Sequence, residues 1–333
     1  MRKSFKIAFI LVIIGLIVFL AVFILNGFNF GKIFNKNYET KTYDVTDGFS
    51  DVLISIDEAD VIFLKSADGK CKVECYESSK KVHNVAVENN TLTVKSNDVK
   101  WYENLINFGK PKITVYLSQN EYNNLSIAAD TGKIDIPNDF TFKAVDILNS
   151  TGDVTTYARI KTNLNVKVST GDVKSYGLVG GEINITTSTG DITVEGASPT
   201  QISLTASTGK IDATKINCSG ELKTKVSTGK TTLTDVKCQS INSVGTTGKL
   251  DMTNVIAKGK IFVERDTGDI TLDGVDASEI EMKTSTGDIK GSLLTEKVFI
   301  VNTSSGKKDV PETIKGGKCK LTTSTGDVVI TIK

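Results

Sequence analysis

From Leu125 onward the chain alternates apolar and polar residues. The alternation resets at Gly132, Gly152, Gly171, Gly190, Gly209, Gly229, Gly248, Gly268, Gly287, Gly306 and Gly326. The interval is always 19 or 20 residues, and Ser-Thr or a close variant precedes each glycine. Seven positions before the glycine stand Leu125, Val145, Leu164, Ile183, Ile202, Leu222, Ile241, Ile261, Ile280, Phe299 and Cys319. The position five before is mostly apolar, with Thr224 and Ser243 as departures. Two after it come Ile134, Val154, Val173, Ile192 and their equivalents, with Thr231 and Lys308 as departures. Lys, Asp, Asn, Thr and Ser fill the places between. Period-two alternation on both sides of a glycine predicts two half-buried strands joined at a corner. Their Ile, Val and Thr suit a pleated surface rather than a helix. Glycine permits the positive φ of a sharp corner, and Ser or Thr can hold a turn through local backbone hydrogen bonds. A second corner is expected six to nine residues later, marked by Gly177, Gly196, Asn254 or Gly274.

A meander of hairpins gives no reason for equal residues at equal offsets. Stacked coils do, because equivalent positions then form ladders around a continuous core. The pattern predicts an all-β fold, a single-stranded β-solenoid (parallel β-helix) of 19–20 residues per coil. The hand is expected to be right, the commoner one. At about 4.8 Å per coil the rod would be on the order of 50 Å long.

Residues Ile7 to Leu25 are apolar apart from one glycine, and Arg2, Lys3 and Lys6 precede them. As a helix this run would span about 28 Å, close to a bilayer core. It reads as a transmembrane signal anchor with the N-terminus inside. The competing reading is a cleaved signal peptide, but the run is long for one and Leu25-Asn26-Gly27-Phe28 is a poor cleavage site. Lys32, Lys36 and Lys41 weaken the charge asymmetry somewhat. The expected organisation is a cytoplasmic n-region at 1–6, an anchor at 7–25 and a stalk at 26–41. A β-rich cap or degenerate coils follow at 42–120, then the regular solenoid at 121–333. Within 42–120 the stretch Trp101 to Phe108 interrupts the strands and is expected to be a short helix or flap closing one end of the core.

Across 333 residues Lys+Arg is 40, Asp+Glu is 39 and the formal charge is +1, a balance that suggests no steering of nucleic acid. Arginine occurs only as Arg2, Arg159 and Arg265, which disfavours phosphate and base readout. Thr228-Gly229-Lys230-Thr231 resembles a phosphate loop but has Thr224 where the earlier glycine belongs. The outward positions mix Thr with charged residues, so no flat Thr array for ice exists. No Ser-His-Asp, Cys-His or dinucleotide-binding pattern appears, and no catalytic residue or cofactor is predicted. Acidic clusters on other parallel β-helices serve polysaccharide lyases and hydrolases, an analogy of fold only.

The residue after each corner glycine is always charged, and Asp153, Asp172, Asp191, Asp269 and Asp288 would stack as a carboxylate column. Such a column could bind a hard cation weakly, but carboxylates alone are no cage, and a solvated corner is the expectation. Arg265, beside Asp266 and near Asp269 and Asp288, is expected to form a structural ion pair, with Gly245 in the preceding coil making room for it. Cys71 and Cys75 lie too far apart along one strand to bridge. Cys218 and Cys238 each stand nine residues after a glycine in consecutive coils, so they could form a disulfide or a buried thiol ladder. Cys319 belongs to the apolar ladder. The lone histidine, His83, is expected to be an ordinary strand residue rather than a zinc ligand with these cysteines.

Ala59-Asp60-Val61-Ile62, then Ile113-Thr114-Val115-Tyr116-Leu117, Tyr122-Asn123-Asn124-Leu125-Ser126-Ile127, and the series typified by Ser188-Thr189-Gly190-Asp191-Ile192 and Ser285-Thr286-Gly287-Asp288-Ile289 resemble a bacterial family called the putative adhesins. The resemblance runs from about Phe49 to the C-terminus. It implies an extracytoplasmic β-strand-repeat protein, tethered to a membrane or secreted, in some members linked to envelope-stress systems. It offers no catalytic residues to carry over. The expectation is a non-enzymatic, single-pass cell-surface rod that binds a protein or glycan of the envelope, with no nucleic acid partner. The alternatives are an accessory regulator of an envelope-stress pathway and, third, a glycan-active enzyme.

Overall fold

The computed structural model describes residues 2–25, 38–78, 81–97 and 110–333. The stalk expected at 26–41 lies outside the described residues up to position 37, as does the flap expected at Trp101 to Phe108. A helix, α1, runs Arg2–Leu25. Its side chains are described at 11–21 and 24. Among the described residues no helix is long and apolar enough to cross a membrane.

The rest of the described chain is an all-β solenoid. Strands entering the glycine corner stack in parallel and in register, as in Leu164↔Ile183, Ile183↔Ile202 and Ile202↔Leu222. Strands leaving it do the same, as in Val173↔Ile192 and Ile192↔Ile211. Every apolar residue of the first ladder from Leu125 to Ile280 is buried. Burying a Leu, Ile or Val side chain contributes about 1.5–3 kcal/mol, and the ladder repeats that gain in each coil.

Four successive coils, from Gly209 to Gly268, carry a third buried ladder that the two-strand reading did not contain. Ile216 and Cys218, Val236 and Cys238, Val255 and Ala257, and Val275 and Ala277 are buried beyond the second corner. That corner is turned by left-handed residues in successive coils: Gly196 (φ 74), Lys215 (φ 54), Asp235 (φ 54), Asn254 (φ 53) and Gly274 (φ 66). Gly177, expected among them, is not left-handed. Only some members of this column are glycine or asparagine, so composition alone marks it poorly.

The glycine corner recurs closely from coil to coil. From Gly132 to Gly268 the amide of each corner glycine donates to the carbonyl of the Thr before the next one, as in Gly132 to Thr151 (2.9 Å) and Gly171 to Thr189 (2.9 Å). A Cβ on Gly209 would lie closer to the Gly190 carbonyl oxygen than any real carbon–oxygen contact, and φ there is 147°. The glycine is therefore required both for its backbone angle and for the close approach of the coil below.

Both ends depart from simple sequential stacking. At the C-terminal end the strand Gly317–Thr325 pairs with Ile270–Thr286 on one side and Lys297–Ser305 on the other. Corner Gly287 thus meets Gly326, and Gly326 meets Gly306: Gly287 N–H donates to Thr325 O (2.9 Å) and Gly326 N–H to Ser305 O (3.0 Å). The last stretch of chain is inserted between two coils laid down before it, whereas the even spacing predicted serial order.

At the other end the segment 42–120 contains both genuine coils and a cap. The strand Asp51–Glu58 pairs in parallel with Glu121–Thr131 and with Thr91–Ser96. Asp60–Lys65 pairs in parallel with Ile134–Ile136 and with Lys112–Leu117. Ala59 occupies the glycine place, since its amide donates to Thr131 O (3.0 Å) and Val61 N–H to Lys133 O (2.7 Å). Antiparallel strands then close the edge: Cys71–Ser78 joins Lys112–Leu117, and Tyr38–Val45 joins Cys71–Ser78. His83–Glu88 joins Thr91–Ser96 in the same sense. The strand beginning at Tyr38 takes in residues 38–41, which the sequence placed in the stalk.

Candidate functional site

The charged column beside the glycines is built into the coil-to-coil bonding. Asp153 Oδ1 accepts from the Asp172 amide (3.1 Å), Asp172 Oδ1 from Asp191 (2.9 Å), and Asp191 Oδ1 from Lys210 (2.7 Å). Asp269 accepts from the Asp288 amide (3.1 Å) and Asp288 from Asp327 (2.8 Å). Asp327 accepts from Lys307 (2.9 Å), which follows the inserted order of the coils. The column begins earlier than the glycines do, because Asp60 accepts from the Lys133 amide (2.8 Å). Asp60 was missed because alanine replaces glycine before it.

Lysines pair with several of these carboxylates: Lys133 and Lys249, each from the preceding coil, with Asp153 (3.2 Å) and Asp269 (2.8 Å), and Lys290, from the same coil, with Asp288 (2.6 Å). The amide of Asp172 and then Lys133 hold Asp153 below the ordinary carboxylate range. Lys249, then the Asp288 amide, does so for Asp269, and Lys290, then the Asp327 amide, for Asp288. The carboxylates keep contact with solvent, as expected of a corner, but they do not splay freely: one oxygen of each of the five accepts from an amide of the next coil.

A second set of bonds ties the same corners from inside. Thr187 Oγ1 donates to Gly171 O (3.3 Å), Thr284 Oγ1 to Gly268 O (3.1 Å), and Thr323 Oγ1 to Gly287 O (3.0 Å). Asn149 Nδ2 donates likewise to Gly132 O (2.9 Å). Buried polar side chains here serve corner carbonyls that would otherwise lose their water.

Arg265 is not in the ion pair expected of it. Its guanidinium turns into the core, where the residue is 2% exposed. It donates to Ser243 O (3.0 Å), Ser243 Oγ (2.8 Å), Glu264 O (2.9 Å) and Thr231 Oγ1 (3.3 Å). Thr224 shares a hydrogen bond of 2.7 Å with Ser243. Three of the departures from the apolar ladders, Thr224, Thr231 and Ser243, are thus gathered around one guanidinium. Burial pulls its pKa down to about 10. The room comes from Gly245, as expected.

Cys218 and Cys238 face each other across consecutive coils but remain free thiols. In-register parallel neighbours point the same way about 4.8 Å apart, whereas a disulfide needs Cβ atoms about 3.8 Å apart. Cys218 Sγ instead lies 3.5 Å from Thr200 O and 3.6 Å from Glu221 O. Burial raises both thiols, Cys238 to about 12. The disulfide reading is therefore replaced by the thiol ladder.

The arrangement least expected from sequence lies in the N-terminal cap. Cys75 and Glu77 are two apart on one strand and point to the same face. The next strand opens with His83, whose Nδ1 lies 2.7 Å from Glu77 Oε2. The His83 amide donates to that same oxygen (2.7 Å). One ligand atom from each of the three lies within 4.8 Å of the others, and all three residues are buried. Lys41 reaches the other oxygen, Glu77 Oε1, at 3.1 Å, and Tyr43 Oη donates to His83 O (3.0 Å). Burial, reinforced by the Glu77 charge, pushes the Cys75 thiol up to about 12. Glu77 raises the pKa of Lys41. His83, expected to be an ordinary strand residue rather than a zinc ligand with the cysteines, is thus brought beside Cys75 and Glu77. The signal available in the sequence was a glutamate at the inward parity of Val73 and Cys75.

The Toastrack DUF4097 family model matches residues 49–242 and 218–333. Among solved structures, a putative adhesin from Bacteroides fragilis is 17% identical, with 89% of this chain and 98% of that one covered and a TM-score of 0.33. A putative adhesin from Parabacteroides distasonis is 14% identical over 78% of this chain and 97% of that one, with a TM-score of 0.43. A putative lipid binding protein from the same organism is 16% identical over 77% and 98%, with a TM-score of 0.43. No curated protein matches. With the model spanning nearly all of the solenoid, the chain belongs to the Toastrack DUF4097 family.

Proposed function

We propose that this chain is a membrane-tethered, extracytoplasmic rod that binds a component of the cell envelope without catalysing a reaction. The observation that carries the reading is α1. Its described large apolar side chains, from Leu11 to Ile24, are 41–63% exposed. A 24-residue helix is about 36 Å long. An apolar surface of that kind needs an apolar medium, and the apolar run Ile7 to Leu25, read from the sequence, is long enough to reach across a bilayer core. Arg2, Lys3 and Lys6 at its start favour an inside N-terminus, with the rod outside.

The non-catalytic part rests on the corners. The column of carboxylates, which would be the natural acid–base candidates on a solenoid, is engaged in amide and lysine bonds. For contact with a partner the rod offers Tyr157 and Tyr176, stacked at 5.1 Å and 18° on consecutive coils. Both are exposed, as is Leu178, two residues after Tyr176. Stacked, half-open tyrosines give rigid contact area for a protein or a sugar face.

The test compares the full chain with one starting at Tyr38, both expressed in a bacterial host. Protease added to intact cells should remove the rod of the full chain, and the shorter chain should be released. Purified full chain should be retained on isolated envelope, and Tyr157→Ala with Tyr176→Ala should reduce retention. Protection from protease in intact cells, or no retention on any envelope fraction, contradicts the proposal.

A further inference from the structure

We propose that Cys75, Glu77 and His83 form a binding site for a zinc-class divalent cation, with the Cys75 sulfur, a Glu77 oxygen and a His83 ring nitrogen as ligands. Sulfur, imidazole and carboxylate together are the donor set of a borderline-soft ion, and their atoms already lie within 4.8 Å of one another. Three protein ligands leave one tetrahedral position for a fourth donor.

Two further observations point to a ligand here. His83 Nε2 is buried and has no hydrogen-bond partner, on a side chain that is 1% exposed. Buried polar atoms are nearly always paired, so an orphan nitrogen on the ring whose other nitrogen faces Glu77 needs a reason. The carboxylate is also oriented from outside the cluster. Lys41 forms an ion pair with Oε1 at 3.1 Å, while Oε2 faces the His83 amide and ring. That is the outer support that metal-binding side chains usually have.

A thiol–imidazole nucleophile fits the same residues less well. Cys75 is fully buried, and the His83 ring bonds to Glu77 through Nδ1 while Nε2 has no partner, the thiol included. A nucleophilic cysteine needs access and a stabilised thiolate. On cation binding, the Cys75 thiol releases its proton to solvent and its sulfur lone pair forms the new bond. Glu77 and neutral His83 each donate a lone pair, and nothing is oxidised or reduced. The bound ion would tie the strand Cys71–Ser78 to the start of His83–Glu88, next to the first strand after the linker, Tyr38–Val45.

The test uses full chain in detergent with a reductant present and Co²⁺ as the probe. One equivalent should give thiolate-to-cobalt charge-transfer absorption, bleached by Zn²⁺. Cys75→Ser should abolish the band, His83→Ala should weaken binding at least about tenfold, and Cys238→Ser should change nothing. No band at excess Co²⁺, or an unchanged band in Cys75→Ser, overturns the site. If Cys75→Ser does not fold, Glu77→Gln decides: an affinity loss of about tenfold or more supports the site, and unchanged affinity overturns it. Retention on envelope is a separate readout, so failure here leaves the proposed function standing.

Discussion

Gly245 and Arg265 are register partners on adjacent coils, and a Cβ on Gly245 would stand 3.0 Å from the guanidinium carbon of Arg265. One position is emptied so that the next can be filled with a buried cation. Gly245→Ala should destabilise the rod by about 1–3 kcal/mol through overpacking. Arg265→Ala should cost about 2–4 kcal/mol, from the cavity and from the unpaired Ser243 and Thr231. The double variant should cost less than the sum, because alanine at 245 no longer meets a guanidinium. Denaturant midpoints of the four proteins check this, and strict additivity would deny the coupling.

The corner glycines separate two kinds of need. Gly209→Ala would drive a Cβ into the Gly190 carbonyl, and should cost at least about 3 kcal/mol or prevent folding. Gly196 also has a positive φ, but its Cβ would meet nothing within 4 Å. Gly196→Ala should therefore cost only about 1–2 kcal/mol. Thermal melts of the two variants should differ clearly, and equal losses would mean that the stacking contact is unimportant.

The solenoid was legible because its coils repeat. Each of the eleven glycines sits at the same backbone corner, and the apolar offsets around it became ladders. What escaped depended on pairings that periodicity cannot express. The Gly326 coil has the same spacing as any other, yet it inserts before the Gly306 coil. Asp60 belongs to the carboxylate column but follows an alanine. Arg265 has carboxylates nearby in sequence, and register sends it inward toward hydroxyls instead. His83 meets Cys75 and Glu77 only through an antiparallel cap whose strands carry no repeat.

The inserted C-terminal coil makes a sharp prediction about truncation. Removing residues 310–333 takes away the strand that carries Lys297–Ser305. Residues 297–309 should then lose amide-exchange protection, because the strand they pair with is gone. In a serial stack the same truncation would leave them packed. Hydrogen exchange on the truncated chain decides, and retained protection over 297–309 would argue against the inserted order.

Acid should weaken the rod through the corner column. Asp153, Asp269 and Asp288 have depressed values in the folded chain, from the amides and lysines that face them. Their stabilisation is complete above the unfolded carboxylate value of about 4 and is lost as pH falls through the lower folded values. The melting temperature should drop below about pH 4, and less steeply when the three are changed to Asn. A melting temperature that is flat to low pH would show that these bonds contribute little.

The central claim is that the Ser-Thr-Gly-Asp series is a coil-joining device and not a ligand site. The direct measurement is thermal unfolding of the full chain at neutral pH with and without Ca²⁺, beside a variant carrying Asn at 153, 172, 191, 269 and 288. Asparagine keeps a side-chain oxygen for the next coil's amide, so the variant should still fold cooperatively at a modestly lower melting temperature. Ca²⁺ should shift neither protein. A rise of several degrees with Ca²⁺ in the parent chain, absent from the variant, would contradict the account.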